Sequence, residues 1–449
     1  MTALCDWGGE VEVALALARR FPGGEWDTSL WDESEWEQTD TALGDWLDVT
    51  CDTGDPIELK AGSSKVEGVI DRWEAATVSL SLYGAQYDPR TGQWSGLLTP
   101  GLPVRIRWRP IGEDDWRIAF LGTVADAGYK WDPQTLTAIL DCDDGTAELV
   151  AYDQLPYEVP MGDGDRASER ISRLADLAQV NPALRDITAG GVDLLASDLA
   201  GHVWEQMLDV ADSDLGLVWL RRDGRLAYRP GGRVREIVDT EAELSACPID
   251  EGRPEAIQYT NLRHADPTVL RNEVTVSRGK PFVTEGDPDP PDPPIVQRWD
   301  DPSIARFRPH SYKRTDLLHS DDTWSVSLAD AIIANGAWPT TAPLEVQMDT
   351  LAADDIRIAS VLLGVEPEHV FTIWDALEPD TSWRTVAHGW DVSLGRINVE
   401  GSVFVSDVSG WGAAGEWDDD DPDNAGWDVS AWALTGVDPA PARKDQQWP

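Results

Sequence analysis

Between residues 55 and 153 the chain repeatedly alternates apolar with polar side chains over short runs, and Gly, Pro or Asp ends each run. Alternation with a period of two puts every second side chain on one face of a strand. The runs at 66–70, 76–82, 103–108, 116–120 and 136–140 therefore predict a β-meander of short strands, rolled into a sandwich or a barrel.

Beyond this body the period changes. From 166 to 180 Ile171, Leu174, Leu177 and Ala178 share one helical face, and from 202 to 212 Val203, Met207, Leu208 and Val210 do the same. Two apolar runs, 216–220 and 225–228, flank Arg222-Asp223-Gly224 and predict a hairpin. Strands are expected again at 272–276, 344–348 and 392–405, with a helix at 327–335. The run 286–294 is too rich in proline for a ladder and is stiffened toward polyproline II.

The fold class expected is mainly β with an α+β insertion: two tube-like β-barrel or sandwich domains, a smaller α+β domain and extended acidic, Trp-rich terminal arms. The divisions are an N-terminal segment with an acidic arm (1–59), a first barrel-like domain (60–155) and an α+β domain (156–235). A second barrel-like domain (236–407) carries the Pro-rich loop 286–294, and a C-terminal acidic arm (408–449) follows.

The 449 residues hold 82 Asp and Glu against 36 Lys and Arg, a net charge of −46. Such a field repels phosphate backbones, so nucleic-acid binding is excluded except through a locally basic lining. The acid concentrates at the ends, with twelve acidic and no basic residues over 21–59 and ten acidic and no basic residues over 397–442. Both ends are rich in Trp. Trp26-Asp27-Thr28-Ser29-Leu30-Trp31 has the form WDxSxW, Trp427-Asp428-Val429-Ser430-Ala431-Trp432 repeats it, and Trp390-Asp391-Val392-Ser393 repeats its first half.

The spacing of Trp26, Trp31 and Trp36 fits neither helix nor strand. Two readings stand beside each other: Trp-anchored surface loops, or arms whose indoles at Trp26, Trp31, Trp36, Trp427 and Trp432 latch neighbouring subunits.

No chemistry is written in the motifs. HExxH, GxSxG, GxxxxGK[ST] and GxGxxG are all missing, and His202, His264, His310, His319, His369 and His388 never fall at ligand spacing. Cys5, Cys51, Cys142 and Cys247 match neither a metal knuckle nor a small disulfide scaffold. The run from Asp418 to Gly426 starts like a calcium loop at Asp421, but Ala425 takes the fifth place and Trp432 the place of the bidentate Glu. It reads as a loose cation site or as a solvated acidic linker. With 82 acids some carboxylate pairs must lie close, so a pair suited to glycoside hydrolysis is no signal. No catalytic, cofactor-binding or metal residue is expected. No apolar run approaches the ~20 residues of a membrane helix, and no signal peptide is read at the N-terminus.

Three ordered stretches resemble the tail-hub and minor tail proteins of tailed phages, most of all those of actinobacterial siphophages. The first runs through Val78-Ser79-Leu80-Ser81-Leu82, the turn Tyr87-Asp88-Pro89, the strand Pro100-Gly101-Leu102-Pro103-Val104-Arg105-Ile106, and Phe120-Leu121-Gly122-Thr123-Val124. The second is Val203 to Tyr228. The third combines Asn272-Glu273-Val274-Thr275-Val276, the helix from Ala329 to Ala334, and Val386 to Ser393.

The resemblance implies a structural virion protein at the tail tip. Three chains would form a homotrimeric ring that caps the tail tube, adapts its sixfold symmetry to a threefold tip and encloses part of the DNA-ejection channel. Its implied partners are the distal tail and tail tube proteins, the tape measure protein and other minor tail proteins, with viral DNA passing unbound. A hexameric distal tail protein and a carbohydrate- or receptor-binding module are the rival readings. No cofactor and no enzymatic activity are implied.

Overall fold

In the computed structural model the described residues are 3–16, 46–54, 56–62, 73–95, 98–155, 157, 161–231, 240–246, 252–264, 270–281, 290–339, 342–376, 378 and 381–407. The expected strand at 66–70, the acidic run 418–426, and Trp26, Trp31, Trp36, Trp427 and Trp432 lie outside them, as do Cys247 and the first half of the Pro-rich loop.

The fold is mainly β. Its first body uses β1 (Gly9–Ala16), β2 (Trp46–Asp48), β3 (Ile57–Gly62), β4 (Thr77–Tyr83), β5 (Pro103–Pro110), β6 (Arg117–Asp132) and β7 (Thr137–Asp143). Antiparallel ladders join β1 to β5, β5 to β6, β6 to β7 and β7 to β4. The segment from β2 onward completes a ring. Trp46–Asp48 pairs with β1, and a few residues later Thr53 bridges Leu82 while Gly54 donates to the Ser81 carbonyl. Alternation explains what fills it: Val13, Leu15, Leu80, Leu82, Val104, Ile106, Trp108 and Leu140 are fully buried. The ring is a packed core and leaves no bore.

The expected strand at 116–120 is the start of the 16-residue β6, whose pairing with β7 shifts between Val124 and Tyr129. A strand the sequence reading passed over, β1, lies at the heart of the ring.

Helices α1 (Ala167–Leu177) and α2 (Val203–Asp214) follow, close to their expected limits. They cover a sheet of β8 (Arg185–Ile187), β9 (Leu217–Leu220) and β10 (Leu226–Arg229), in which β9 and β10 form the expected hairpin. At the end of α2 the left-handed position is taken by Leu215, φ 53°, where glycine would be unstrained. Its side chain accounts for the choice, because it is buried in the core of the next unit.

The chain then lays down β11 (Ala242–Ser245), β12 (Ile257–Gln258) and β13 (Asn261–His264). Here an insertion intervenes. β14 (Glu273–Arg278), β15 (Val296–Trp299), α3 (Asp301–Phe307), β16 (Ser311–Leu317) and α4 (Asp322–Gly336) make a separate three-stranded sheet, ordered β15-β14-β16, with α4 over one face. The strand expected at 272–276 and the helix expected at 327–335 belong to this unit and join neither ring.

The chain returns with β17 (Pro343–Asp349), α5 (Arg357–Gly364), β18 (Val370–Trp374), β19 (Ser382–Leu394) and β20 (Val399–Asp407). The single strand expected over 392–405 is two, folded at a turn in which Gly395 donates to the Asn398 carbonyl. A second ring closes through β19, β18, β11, the continuous run 257–264, β17, β20 and back to β19. It too is filled, by Val346, Phe371, Ile373, Val392, Val403 and Val405 among others.

Candidate functional site at the junction of the two rings

β3 pairs with β4 on one side and with β19 on the other, so the two rings share one continuous sheet. The 13-residue β19 makes this possible: its first half faces β18, and its second half, from Gly389 to Leu394, faces β3. The indole of Trp7, just ahead of β1, donates to the Gly395 carbonyl at 2.9 Å and ties the start of the first ring to the hairpin tip of the second.

The hairpin of the α+β unit inserts Arg222 into this seam. Its guanidinium is out of water and donates to three carbonyls: Val365 at 3.1 Å, Ala119 at 3.2 Å and Leu362 at 3.0 Å. It also lies 4.0 Å above the ring of Trp390. One side chain thus touches β6 of the first ring, β19 of the second and the end of α5. Trp390 packs in turn on Trp73, 5.4 Å between centroids.

Glu366 supplies the countercharge. Its carboxylate accepts the Arg222 backbone N–H at 3.1 Å and the Trp219 indole N–H at 3.1 Å, and its own N–H donates to His369 Nδ1. Burial pushes the carboxyl of Glu366 up, against the pull of Arg222 and Arg221, and pushes the Arg222 guanidinium down to about 10. Close by, Asp144 accepts the N–H groups of Ala76 and Thr146, and burial lifts its carboxyl to about 6. Nothing here resembles a reaction centre. Every polar atom named is spent on holding elements together, which makes the arrangement a mechanical joint.

The outer wall of the first ring is a ladder of Arg105, Arg107 and Arg109 on β5, set against Glu12 and Glu10 on β1 and stacked over Trp46 and Trp116 at 4.4–4.8 Å. The alternation that sends Val104, Ile106 and Trp108 inward sends these cations out.

Five of the six histidines make contacts within the fold, the exposed His264 among them. His319 is fully buried beside Ser325, His388 stacks on Phe404, His264 meets the edge of Trp383, His310 bonds the Phe307 carbonyl, and His369 caps the turn at Glu366. Among the described residues no three His, Cys, Asp or Glu side chains group as a metal would require, and no helix is long and apolar enough to cross a membrane. Sequence reasoning missed Arg222 and Glu366. The only trace was the Arg222-Asp223-Gly224 turn, and nothing local marks one arginine there as buried.

No family model and no curated protein matches the sequence. Solved structures do. The tail protein from Neisseria meningitidis MC58 is similar with a TM-score of 0.50 at 12% identity, over 88% of this chain and 96% of that one. The chain has the fold of a tail protein. The 43 kDa tail protein of prophage MuSo2 from Shewanella oneidensis follows with a TM-score of 0.49 at 9% identity, over 89% and 99% of the two chains. A Francisella PdpA–VgrG complex gives 0.45 at 9% identity, over 89% of this chain and 53% of that one.

Proposed function

We propose that the chain is a structural subunit of a phage tail tip, a tail hub that caps the tail tube and forms part of the DNA-ejection channel. The observation that carries this reading is the pair of closed, side-chain-filled rings welded through one sheet. A filled ring conducts nothing, so a channel has to be enclosed between copies. Three copies would present six rings around an axis and meet a sixfold tube while keeping a threefold tip. Two rings per chain support a hub over a distal tail protein built on one barrel.

In this reading the hub contacts the tube, the distal tail and tape measure proteins and other minor tail proteins. The net charge of −46 lets DNA pass without adhering, because like charges prevent tight backbone contact. The arms bearing Trp26, Trp31, Trp36, Trp427 and Trp432 hold neighbouring subunits, and the role is mechanical.

Light scattering after size exclusion, followed by electron microscopy of the purified chain, tests the proposal. A trimer with threefold symmetry and a central opening is expected. A sixfold ring would favour the distal tail protein, and a chain that stays monomeric at tens of micromolar would defeat the hub reading.

A further inference from the structure

The two rings turn contrasting walls away from the sheet they share. In the first ring that sheet enters at β4, and the ladders β4 to β7, β7 to β6 and β6 to β5 lead to β5 on the far side. The opposite way round, through residues 46–54 and β1, reaches the same strand. In the second ring it enters at β19, and the paths through β18 and β11 and through β20 and β17 meet at the run 257–264. One far wall is therefore β5 with its neighbours, and the other is β13 with β17 and β20.

The far wall of the first ring is cationic, against the trend of a chain of net charge −46. The outward positions of β5 are Arg105, Arg107 and Arg109, the strand holds no acid, and Arg117 joins them from β6. Glu10, Glu12 and Glu113 pair with these four arginines without matching their number. Nor do three carboxylates exhaust the five N–H donors that each guanidinium carries. Arg105 lies over Trp46, and Arg107 and Arg109 lie over Trp116, which sets the guanidinium planes before any partner arrives. Both indoles are only part-buried. Arg and Trp are the side chains that most often anchor protein interfaces.

The far wall of the second ring has the opposite character. β13, β17 and β20 hold a single cation, Arg263, whereas Glu345, Asp349 and Glu400 alternate with the buried Val346, Met348 and Val399 and so face outward. Asn261, Gln347 and Ser402 stand among them, and Glu345 accepts from the last two.

We propose that these walls pair between copies of the chain, the β5 wall of one copy packing on the β13–β17–β20 wall of the next. Such a contact is head to tail: it joins different patches on the two copies and repeats until a ring closes. First and second rings then alternate around the axis. Two cationic or two acidic walls repel, so charge also fixes which wall meets which. The pairing rests on the tail-hub reading and names the surfaces that hold its subunits side by side.

Sedimentation velocity on the full chain over a concentration series tests it. Arg109→Glu/Arg117→Glu and, separately, Glu345→Lys/Glu400→Lys are expected to raise the dissociation constant of the assembly roughly tenfold or more. The chain carrying all four substitutions exchanges the signs of the two walls and should regain most of the wild-type affinity. That recovery excludes misfolding as the cause of the losses. A wall variant that assembles like wild type, or losses that the four substitutions together fail to recover, would overturn the pairing and leave the hub reading standing. A wild-type chain that stays monomeric would defeat the hub reading and the pairing with it.

Discussion

The guanidinium of Arg222 has exchanged water for three carbonyls and an indole face, so its removal strands what it holds. Arg222→Met keeps the aliphatic length but leaves the Ala119, Leu362 and Val365 carbonyls without this donor and Glu366 without its main cation. Breaking a buried charged arrangement from one side costs about 3–5 kcal/mol. The urea midpoint of this variant should fall accordingly, and combining it with Glu366→Gln should cost less than the two single losses added. Additive losses would show that the two groups do not act together. A second residue sets a pH dependence. Burial pushes the His319 imidazole from 6.5 down to about 4, so between those values the folded chain binds fewer protons than the unfolded one. Stability from this group is complete above pH 6.5 and is lost as pH falls toward 4, by up to about 3 kcal/mol. Asp144 opposes it: its carboxyl, lifted from 3.8 to about 6, favours the folded chain as pH falls through the same range. Comparison with His319→Gln separates the two. The stability advantage of wild type over the variant should shrink between pH 7 and pH 4, and a constant difference would rule out this titration.

Among the elements β19 is the one on which the two rings depend, because its length lets it leave β18 and join β3 without interruption. Trp390 in its middle is 3% exposed and packs between Trp73 and Arg222, whereas Trp299 on β15 is 58% exposed. Trp390→Ala should therefore cost about 3–5 kcal/mol, while Trp299→Ala should move stability by less than about 0.5 kcal/mol. Chemical denaturation of both variants gives the comparison, and equal losses would contradict the assigned burial. The expected single strand at 392–405 shows where pattern reading stops. Alternation continues on both sides of Gly395-Arg396-Ile397-Asn398, and only the pairing of β19 with β20 reveals the fold-back.

For the whole molecule, a shared sheet and a buried joint mean that neither ring can open without disturbing the other. Calorimetry on the full chain should show the rings unfolding in one transition, and two well-separated transitions assigned to the rings would refute the weld. The net charge of −46 adds self-repulsion that the compact state must bear. Raising sodium chloride from 20 to 300 mM shortens the screening length to several ångströms, so the Tm should rise. A fall would mean that the paired charges, such as the β5 ladder, outweigh the repulsion.

The amino-acid sequence alone determined the local elements: the strands near 77–82 and 103–108, the two amphipathic helices, and the hairpin around Asp223-Gly224. These depend on neighbours a few residues apart, and the period of burial is written directly in them. Only the tertiary structure decided which strands meet. Gly9–Ala16 lies against Pro103–Pro110, Ile57–Gly62 lies against the end of β19, and Arg222 faces a carboxylate 144 residues away. Hydrogen-bonded ladders form between backbones whose chemistry is the same in every strand, so sequence carries little record of the partner. The buried joint inherits the same reason, since a charge becomes structural only once distant elements have closed over it.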